Sequence, residues 1–146
     1  MATTIVGVLF DGTTAQIGHV GDSRLYLVNK GGIRQITTDH SWVLEQVALG
    51  VLTPEQARAH PLRNVVTRAI GAAPDLLVDI DTHEMEPGDT LLLCSDGLSG
   101  MVIDAELERL VRENPDPEEA ADLLVAEANA HGGEDNITVL LVKREE

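Results

Sequence analysis

Three aspartates in this sequence share one setting, a carboxylate near glycine at the end of an apolar segment. They are Asp22, Asp96 and Asp135. If the apolar segments are neighbouring strands with aligned ends, the three carboxylates converge at one edge of a sheet. Oxygen ligands of this kind suit Mg²⁺ or Mn²⁺, whereas the chain has no paired Cys or His spacing that would favour zinc. Each aspartate alone is compatible with a turn, so the metal interpretation rests on the three together.

Asp96 lies in the most informative segment. It follows the apolar residues 91–94, whose lack of polar alternation indicates a strand buried on both faces. An ionised carboxylate at the end of such a strand is costly to bury unless a cation or hydrogen-bond donors compensate it. Gly97 allows the backbone to turn there, which would present the carboxylate at the sheet edge. The alternative is an aspartate that caps a turn or the following helix.

Other reactive residues give weaker signals. Cys94 lies inside the apolar strand, where a thiol is usually inert packing. Arg63 and Arg68 flank an apolar segment and are candidates to grip a phosphate, although each could equally pair with a surplus acidic side chain. The histidines have no Ser or Cys partner at a spacing typical of nucleophilic catalysis.

The elements that must position these residues are mostly strands. The chain opens as an antiparallel meander, because short β-branched and apolar segments alternate with Gly-containing turns such as Asp11-Gly12. The predicted strands cover residues 3–10, 15–20, 25–28, 33–37, 64–71, 76–86, 91–95 and 136–142.

Four helices are predicted from capping signals. Ser41 can cap a short helix that ends near Leu49, and Thr53 begins a second one with a capping box and Pro54 at its first position. These two helices form a small insertion between strands, residues 40–64, which we term the flap. Asp104 and Asp116 can cap two further helices, the second with Glu119 closing a capping box.

Composition limits the function classes. The chain has 146 residues, which predicts one domain, and its 25 Asp and Glu against 10 Lys and Arg give a formal net charge of −15. Such a surface repels phosphate backbones and anionic lipids, so neither nucleic acid nor a membrane is an expected partner. The single cysteine argues for a reducing compartment. With no signal-like start and no long apolar segment, a cytoplasmic protein is expected.

Six segments, in this order and spacing, resemble the metal-dependent Ser/Thr protein phosphatases of the protein phosphatase 2C type, particularly bacterial ones. They are residues 19–24 (HVGDSR), 38–41 (TDHS), 60–71 (HPLRNVVTRAIG), 87–89 (PGD), 92–98 (LLCSDGL) and 132–138 (GGEDNIT). The resemblance runs through nearly the whole chain.

The resemblance implies a phosphoprotein hydrolase with an α+β fold. The fold would be a partial β-sandwich of mostly antiparallel strands, with a helix pair on one face and the small helical flap. Two Mn²⁺ or Mg²⁺ ions would activate a water for attack on phosphorus, so no side chain acts as nucleophile. Asp96 and Asp135 would be ligands of the two-metal centre and Asp22 would hold a third, weaker metal. Ser41, Arg63, Asn64 and Arg68 would belong to the flap and substrate region.

The chain also departs from the family pattern. The family's N-terminal motifs, which supply a phosphate-gripping Arg, a metal-bridging Asp and a His that acts as general acid, have no counterpart in these residues. We therefore expect one truncated phosphatase-like domain, residues 1–146, with reduced metal affinity because the remaining carboxylates repel each other. Missing helices would leave an apolar sheet face bare, which predicts self-association or a complementing segment. A pseudophosphatase that binds phosphopeptides or regulates partners without turnover is the alternative to an enzyme.

Overall fold

The structure is a computed structural model that describes residues 1–145. The described chain contains seven strands and five helices. Four strands come first, the two flap helices follow, and the rest of the chain mixes strands and helices. The strands are β1 (Ile5–Asp11), β2 (Thr14–Val20), β3 (Arg24–Asn29), β4 (Gly32–Gln35), β5 (Asp79–Glu84), β6 (Thr90–Cys94) and β7 (Val139–Lys143). The helices are α1 (Trp42–Ala48), α2 (Pro54–Ala59), α3 (Asp96–Ser99), α4 (Asp104–Glu113) and α5 (Pro117–Ala130).

The strands form two antiparallel sheets. The small sheet has the order β1-β2-β5 and the large sheet has the order β4-β3-β6-β7. Hairpins set much of this topology: Asp11 pairs with Thr14 around the turn at Gly12, and Asn29 pairs with Gly32. Gly12 and Gly32 both have positive φ, the backbone conformation that these tight turns require. The expected α+β sandwich of antiparallel strands is confirmed.

Two apolar cores hold three layers together. Between the sheets, Ile17 from β2 packs with Leu25 from β3 and Leu91 from β6. On the other face of the large sheet, Leu92 packs beneath α4 and α5, whose Leu107 and Leu124 are fully buried. The central strand β6 is buried along its whole length, so it supplies side chains to both cores. This explains its unbroken apolar sequence.

The helix ends follow the capping signals with two differences. Ser41 accepts a hydrogen bond from the Leu44 N–H, and Thr53 forms the predicted capping box. Asp104, however, is the first helical residue of α4 rather than its cap, and Asp116 accepts from the Glu118 N–H without a capping box to Glu119. In both helices the carboxylates still lie in the first turn, where they favour the positive end of the helix dipole.

Residues 64–71 do not form the predicted strand. Only two isolated bridges occur there, between Ser41 and Val66 and between Thr3 and Ile70. The β-branched residues in this segment imitate a strand, but each bridge uses a different neighbouring segment, so no continuous ladder forms. The adjacent strand prediction for residues 76–86 is right in position and too long, because β5 covers only its middle.

The outer face of the small sheet is apolar and open to solvent. Leu9 from β1 and Ile80 from β5 are 68% and 69% exposed. Between them, Gly7 pairs with Gly18, and the absence of side chains on these residues leaves a shallow groove of about 450 Å³. None of the helices within residues 1–145 has the length and apolar character needed to cross a membrane.

Candidate metal centre

The register of the large sheet places the three predicted aspartates at one end. Cys94 of β6 lies between its partners Arg24 of β3 and Val139 of β7. Asp22 comes two residues before Arg24, Asp96 comes two residues after Cys94, and Asp135 lies shortly before Val139. Because both strand pairs, β3–β6 and β6–β7, are antiparallel, these positions lie at the same edge of the sheet.

Asp22 follows a constrained glycine. Gly21 has φ of +110° and is buried, and a Cβ at this position would lie 2.3 Å from the methyl carbon of Thr4. Its N–H donates to the Nδ1 of His40 and its carbonyl accepts from the His40 N–H, at 2.9 and 3.0 Å. Thr4 also hydrogen-bonds the side chain of Ser23 at 2.9 Å. The peptide that leads into Asp22 is therefore fixed on two sides.

Asp96 lies at a corner fastened to the segment before β7. Ser95 donates its N–H to the Thr138 carbonyl at 3.1 Å, and its hydroxyl accepts from the Thr138 N–H at 3.0 Å. At Gly97, a Cβ would lie only 2.1 Å from the Asn136 carbonyl oxygen, so only glycine allows this approach. Asp96 is the first residue of α3 rather than part of a free sheet edge. The close contact brings the Asp96 and Asp135 segments side by side.

The carboxylates interact electrostatically. Burial and the charges of Asp96 and Asp39 raise the pKa of Asp22 to about 6. Burial and the charge of Asp135 likewise raise the pKa of Asp96 above its ordinary value. Asp135 itself is exposed. A hard divalent cation fits this oxygen donor set, because it would remove the repulsion that raises both pKa values.

A fourth carboxylate, Asp39, stands near this group but is already paired. Arg24 donates to it through Nε at 2.9 and 3.1 Å and through Nη2 at 2.6 Å. Gln35 adds a hydrogen bond at 3.1 Å, and Arg24 also donates to the buried Tyr26 hydroxyl at 2.8 Å. Arg24 and Asp39 are additions to the site residues predicted from the sequence. The predicted hairpin of β3 and β4 could have indicated the pair, because the residues that follow β4 return to lie beside Arg24.

A second group consists of His19, His40 and Asp79, and it too was missed from the sequence. Within residues 1–145, these three are the His, Cys, Asp or Glu side chains whose ligand atoms, one from each residue, all lie within 4.8 Å of one another. The two imidazole rings are stacked, with centroids 4.5 Å apart and planes at 13°. Stacked rings direct their nitrogen lone pairs along parallel planes rather than at one point. His40 also uses both ring nitrogens in hydrogen bonds, so the group is a hydrogen-bonded network.

The residues predicted for the flap and substrate region occupy two different settings. Ser41 is buried and caps α1, and Arg68 donates to Asp79 at 3.0 Å. Both therefore stabilise the base of the flap, where the chain enters and leaves it, which we term the flap root. Arg63 and Asn64 are exposed, and Arg63 spends one guanidinium nitrogen on the His60 carbonyl at 3.1 Å. Cys94 is buried, and burial raises the pKa of its thiol to about 12, as expected for inert packing.

The comparisons with known proteins agree with the fold and the motifs. A family model described as "Stage II sporulation protein E (SpoIIE)" matches residues 3–145. Over 99% of its length the chain is 44% identical to "Serine/threonine phosphatase stp" of Listeria innocua. It is 40% identical over its whole length to "Protein phosphatase PhpP" of Streptococcus pneumoniae. The chain spans 57% and 59% of these two relatives.

Solved structures give the same result. The Mycobacterium tuberculosis serine/threonine phosphatase PstP/Ppp superposes with a TM-score of 0.92 at 37% identity, covering 98% of this chain and 60% of that one. The PstP catalytic domain "in complex with 2 Manganese ions" superposes with a TM-score of 0.86 at 36% identity, covering 96% of this chain and 57% of that one. The chain therefore belongs to the SpoIIE family, and its fold matches the corresponding part of these serine/threonine phosphatase structures.

Proposed function

We propose that this domain hydrolyses phosphate monoesters on Ser and Thr residues of phosphoproteins, with Mn²⁺ or Mg²⁺ held by Asp22, Asp96 and Asp135. The observation that carries the proposal is that the three segments bearing these carboxylates lie at one end of the large sheet, where burial and neighbouring carboxylate charges raise the pKa values of Asp22 and Asp96. Perturbed carboxylates in one cluster are typical of functional sites. The relatives named as Ser/Thr phosphatases support the same reaction class.

The chain's own residues would bind and orient the reactants. Asp96 and Asp135 supply oxygen ligands from adjacent segments, and Asp22 supplies one from the β2–β3 loop. The pairing of Asp39 with Arg24 keeps a fourth carboxylate out of the ligand set and places a cation beside the cluster. When bound, divalent ions of this kind activate water and stabilise the charge that develops on phosphoryl oxygens.

The substrate phosphate would meet the exposed part of the flap. Arg63 retains free N–H donors and can bind a phosphate oxygen, and Asn64 beside it offers an amide. Arg68 is committed to Asp79, so we assign it to the flap root rather than to substrate. This division makes Arg63 the side chain to test for substrate affinity.

The open face of the small sheet supports a further part of the proposal. Large apolar side chains there, such as Leu9 and Ile80, are more than two-thirds exposed to solvent. Contiguous apolar patches of this kind usually mark contact with another polypeptide. We therefore propose that a complementing segment or a second copy of the chain covers this face. Sedimentation analysis tests the idea: Leu9→Lys with Ile80→Lys should abolish association, and a wild-type chain that stays monomeric at high concentration contradicts a second copy.

Turnover is tested by hydrolysis of p-nitrophenyl phosphate and of a phosphothreonine peptide with Mn²⁺. We expect a metal-dependent rate that Asp96→Asn removes. The matched control is Asp122→Asn, which makes the same charge change on the exposed face of α5 and should keep the rate. Equal rates in the wild type and Asp96→Asn would contradict the proposed site. Phosphopeptide binding without any turnover would instead favour a pseudophosphatase.

A further inference from the structure

His40 binds both backbone groups of Gly21, the residue that precedes Asp22. The ring Nδ1 of His40 accepts from the Gly21 N–H at 2.9 Å, and the backbone N–H of His40 donates to the Gly21 carbonyl at 3.0 Å. His40 is 5% exposed, and its ring stacks on the fully buried ring of His19. Thr4 blocks the opposite side of Gly21. The orientation of the peptide entering Asp22 thus depends on the ring nitrogen of His40.

The hydrogen bonds of His40 require one neutral tautomer. Nδ1 carries no proton, because it accepts from an N–H donor. The proton must therefore be on Nε2, which lies 2.8 Å from Oδ2 of Asp79. The other oxygen of Asp79 accepts from Arg68 at 3.0 Å. A carboxylate can only accept, so Asp79 selects the tautomer that leaves Nδ1 available to Gly21.

His40 also joins the two ends of the flap. Its carbonyl accepts from the Thr67 N–H at 2.8 Å, where the chain returns from the flap. Next to it, Ser41 forms an isolated bridge with Val66. Arg68, one residue beyond Thr67, completes the connection through Asp79. The flap root and the loop that carries Asp22 therefore share one hydrogen-bonded network.

We propose that His40, held in its Nε2–H tautomer by Asp79, is a positioning residue that sets the Asp22 carboxylate and couples it to the flap. The inference rests on the proposed function only where Asp22 is taken to bind metal. Groups that orient metal ligands from behind affect metal affinity by about 10- to 100-fold in other proteins. His40 acts one step further back, through the backbone of Gly21, so we expect the lower end of that range.

Two substitutions of His40 separate positioning from packing. An Asn side chain places its oxygen near the position of Nδ1 and can still accept from Gly21, whereas a Gln amide reaches toward Asp79 and leaves Gly21 without an acceptor. We expect His40→Gln to weaken Mn²⁺ binding about tenfold, with His40→Asn much closer to the wild type. Equal losses in both variants, or equal retention, would overturn the positioning role.

Asp79→Asn tests the tautomer directly. Arg68 can only donate, so the Asn oxygen should turn to it and present the amide NH₂ to Nε2 of His40. The ring must then carry its proton on Nδ1, facing the Gly21 N–H. Nitrogen-15 NMR of the metal-free chain should report this tautomer change, together with loss of exchange protection at the Gly21 amide. Asp81→Asn, an exposed neighbour on β5, is the control and should change neither signal.

The two readouts separate this inference from the proposed function. Gly21 and His40 signals that respond as expected in a chain that binds no Mn²⁺ would reject the metal site and retain the positioning of the peptide. Tight Mn²⁺ binding with unchanged Gly21 signals in His40→Gln and Asp79→Asn would retain the metal site and overturn the inference.

Discussion

Asp22 lies just before β3 and Asp96 just after its neighbour β6, at the same end of the large sheet, and burial together with the charge of Asp96 raises the pKa of Asp22 to about 6. The fold holds both carboxylates close despite their repulsion. Gly21 and Gly97 fix the backbone on either side of this pair, through contacts that an added Cβ would break. Stability of the metal-free domain and affinity for a cation should therefore oppose each other at this site.

Asp22→Asn should stabilise the metal-free chain at pH 8. The folded-state pKa of Asp22 is raised to about 6 from an ordinary value of 3.8. The ionised carboxylate therefore lowers the free energy of unfolding, and this loss grows between those two values and is complete above about pH 6. A shift of this size corresponds to about 3 kcal/mol without screening, and solvent at this half-buried site reduces it to about 1 kcal/mol. The gain should vanish below about pH 4, where aspartate is protonated in both states. Urea unfolding at pH 8 and pH 4 checks it, and a gain that is equal at both values would contradict the assignment.

Cation binding should release a proton from Asp22. Near pH 6 the carboxylate is about half protonated, so Mn²⁺ binding should displace about half a proton per site and affinity should rise with pH through this range. Titration calorimetry in two buffers of different ionisation enthalpy measures the released protons. Asp22→Asn should reduce this release, and an undiminished value would assign the proton to another group.

Gly97→Ala should separate Asp96 from Asp135. The new Cβ would lie 2.1 Å from the Asn136 carbonyl oxygen, and both groups belong to the backbone, so one segment must move. We expect a loss of about 1–3 kcal/mol in unfolding free energy and a clear loss of Mn²⁺ affinity. Gly7→Ala is the matched control, because no atom lies within 4 Å of its Cβ position. Wild-type affinity in Gly97→Ala would show that the close approach does not hold the ligands.

Asp89, at the opposite end of β6, provides a purely structural counterpart. Burial tends to raise its pKa, but hydrogen bonds from the Glu86 N–H, His83 and Asn29 outweigh burial and lower it. In Asp89→Asn, the amide NH₂ would face groups that also donate, so hydrogen bonds would be lost. We expect the chain to be destabilised by about 1–3 kcal/mol at pH 7.

The pH dependence of Asp89→Asn has the opposite sign to that of Asp22→Asn. Because the folded-state pKa of Asp89 is lowered, its contribution is complete above about pH 4 and is lost as the pH falls through that lowered value. The difference between wild type and variant should therefore shrink in acid. Unfolding curves at pH 7 and pH 3 check this, and the substitution should leave Mn²⁺ affinity at pH 7 equal to that of the wild type.

Local sequence patterns predicted most of the fold because turns and periodicity are local properties. Gly12 and the buried residues of β6 were readable in this way, whereas the alignment of strand ends that places Asp22 and Asp96 at one edge entered only as a condition, because strand pairing is not a local property. Residues 64–71 were misassigned because β-branched side chains indicate strand preference without indicating whether a partner strand exists. Single bridges to Thr3 and Ser41 are all that the fold supplies there.

The network behind the site was not predictable for a different reason. His40 and Asp79 are 39 residues apart and lie in different parts of the fold, so this pair exists only after the sheets assemble. No local pattern distinguishes these polar side chains from solvated ones. Their burial and their hydrogen-bond geometry carry the information.

Mn²⁺ binding followed by electron paramagnetic resonance tests whether Asp22, Asp96 and Asp135 form a divalent-cation site. Free Mn²⁺ gives a signal that is lost on binding, so titration of the chain at pH 7.5 reports occupancy without requiring turnover. We predict that the wild type and Asp122→Asn deplete the free signal equally, while Asp96→Asn and Asp135→Asn leave it largely intact. Equal depletion by all four chains, or none by the wild type, would contradict the site.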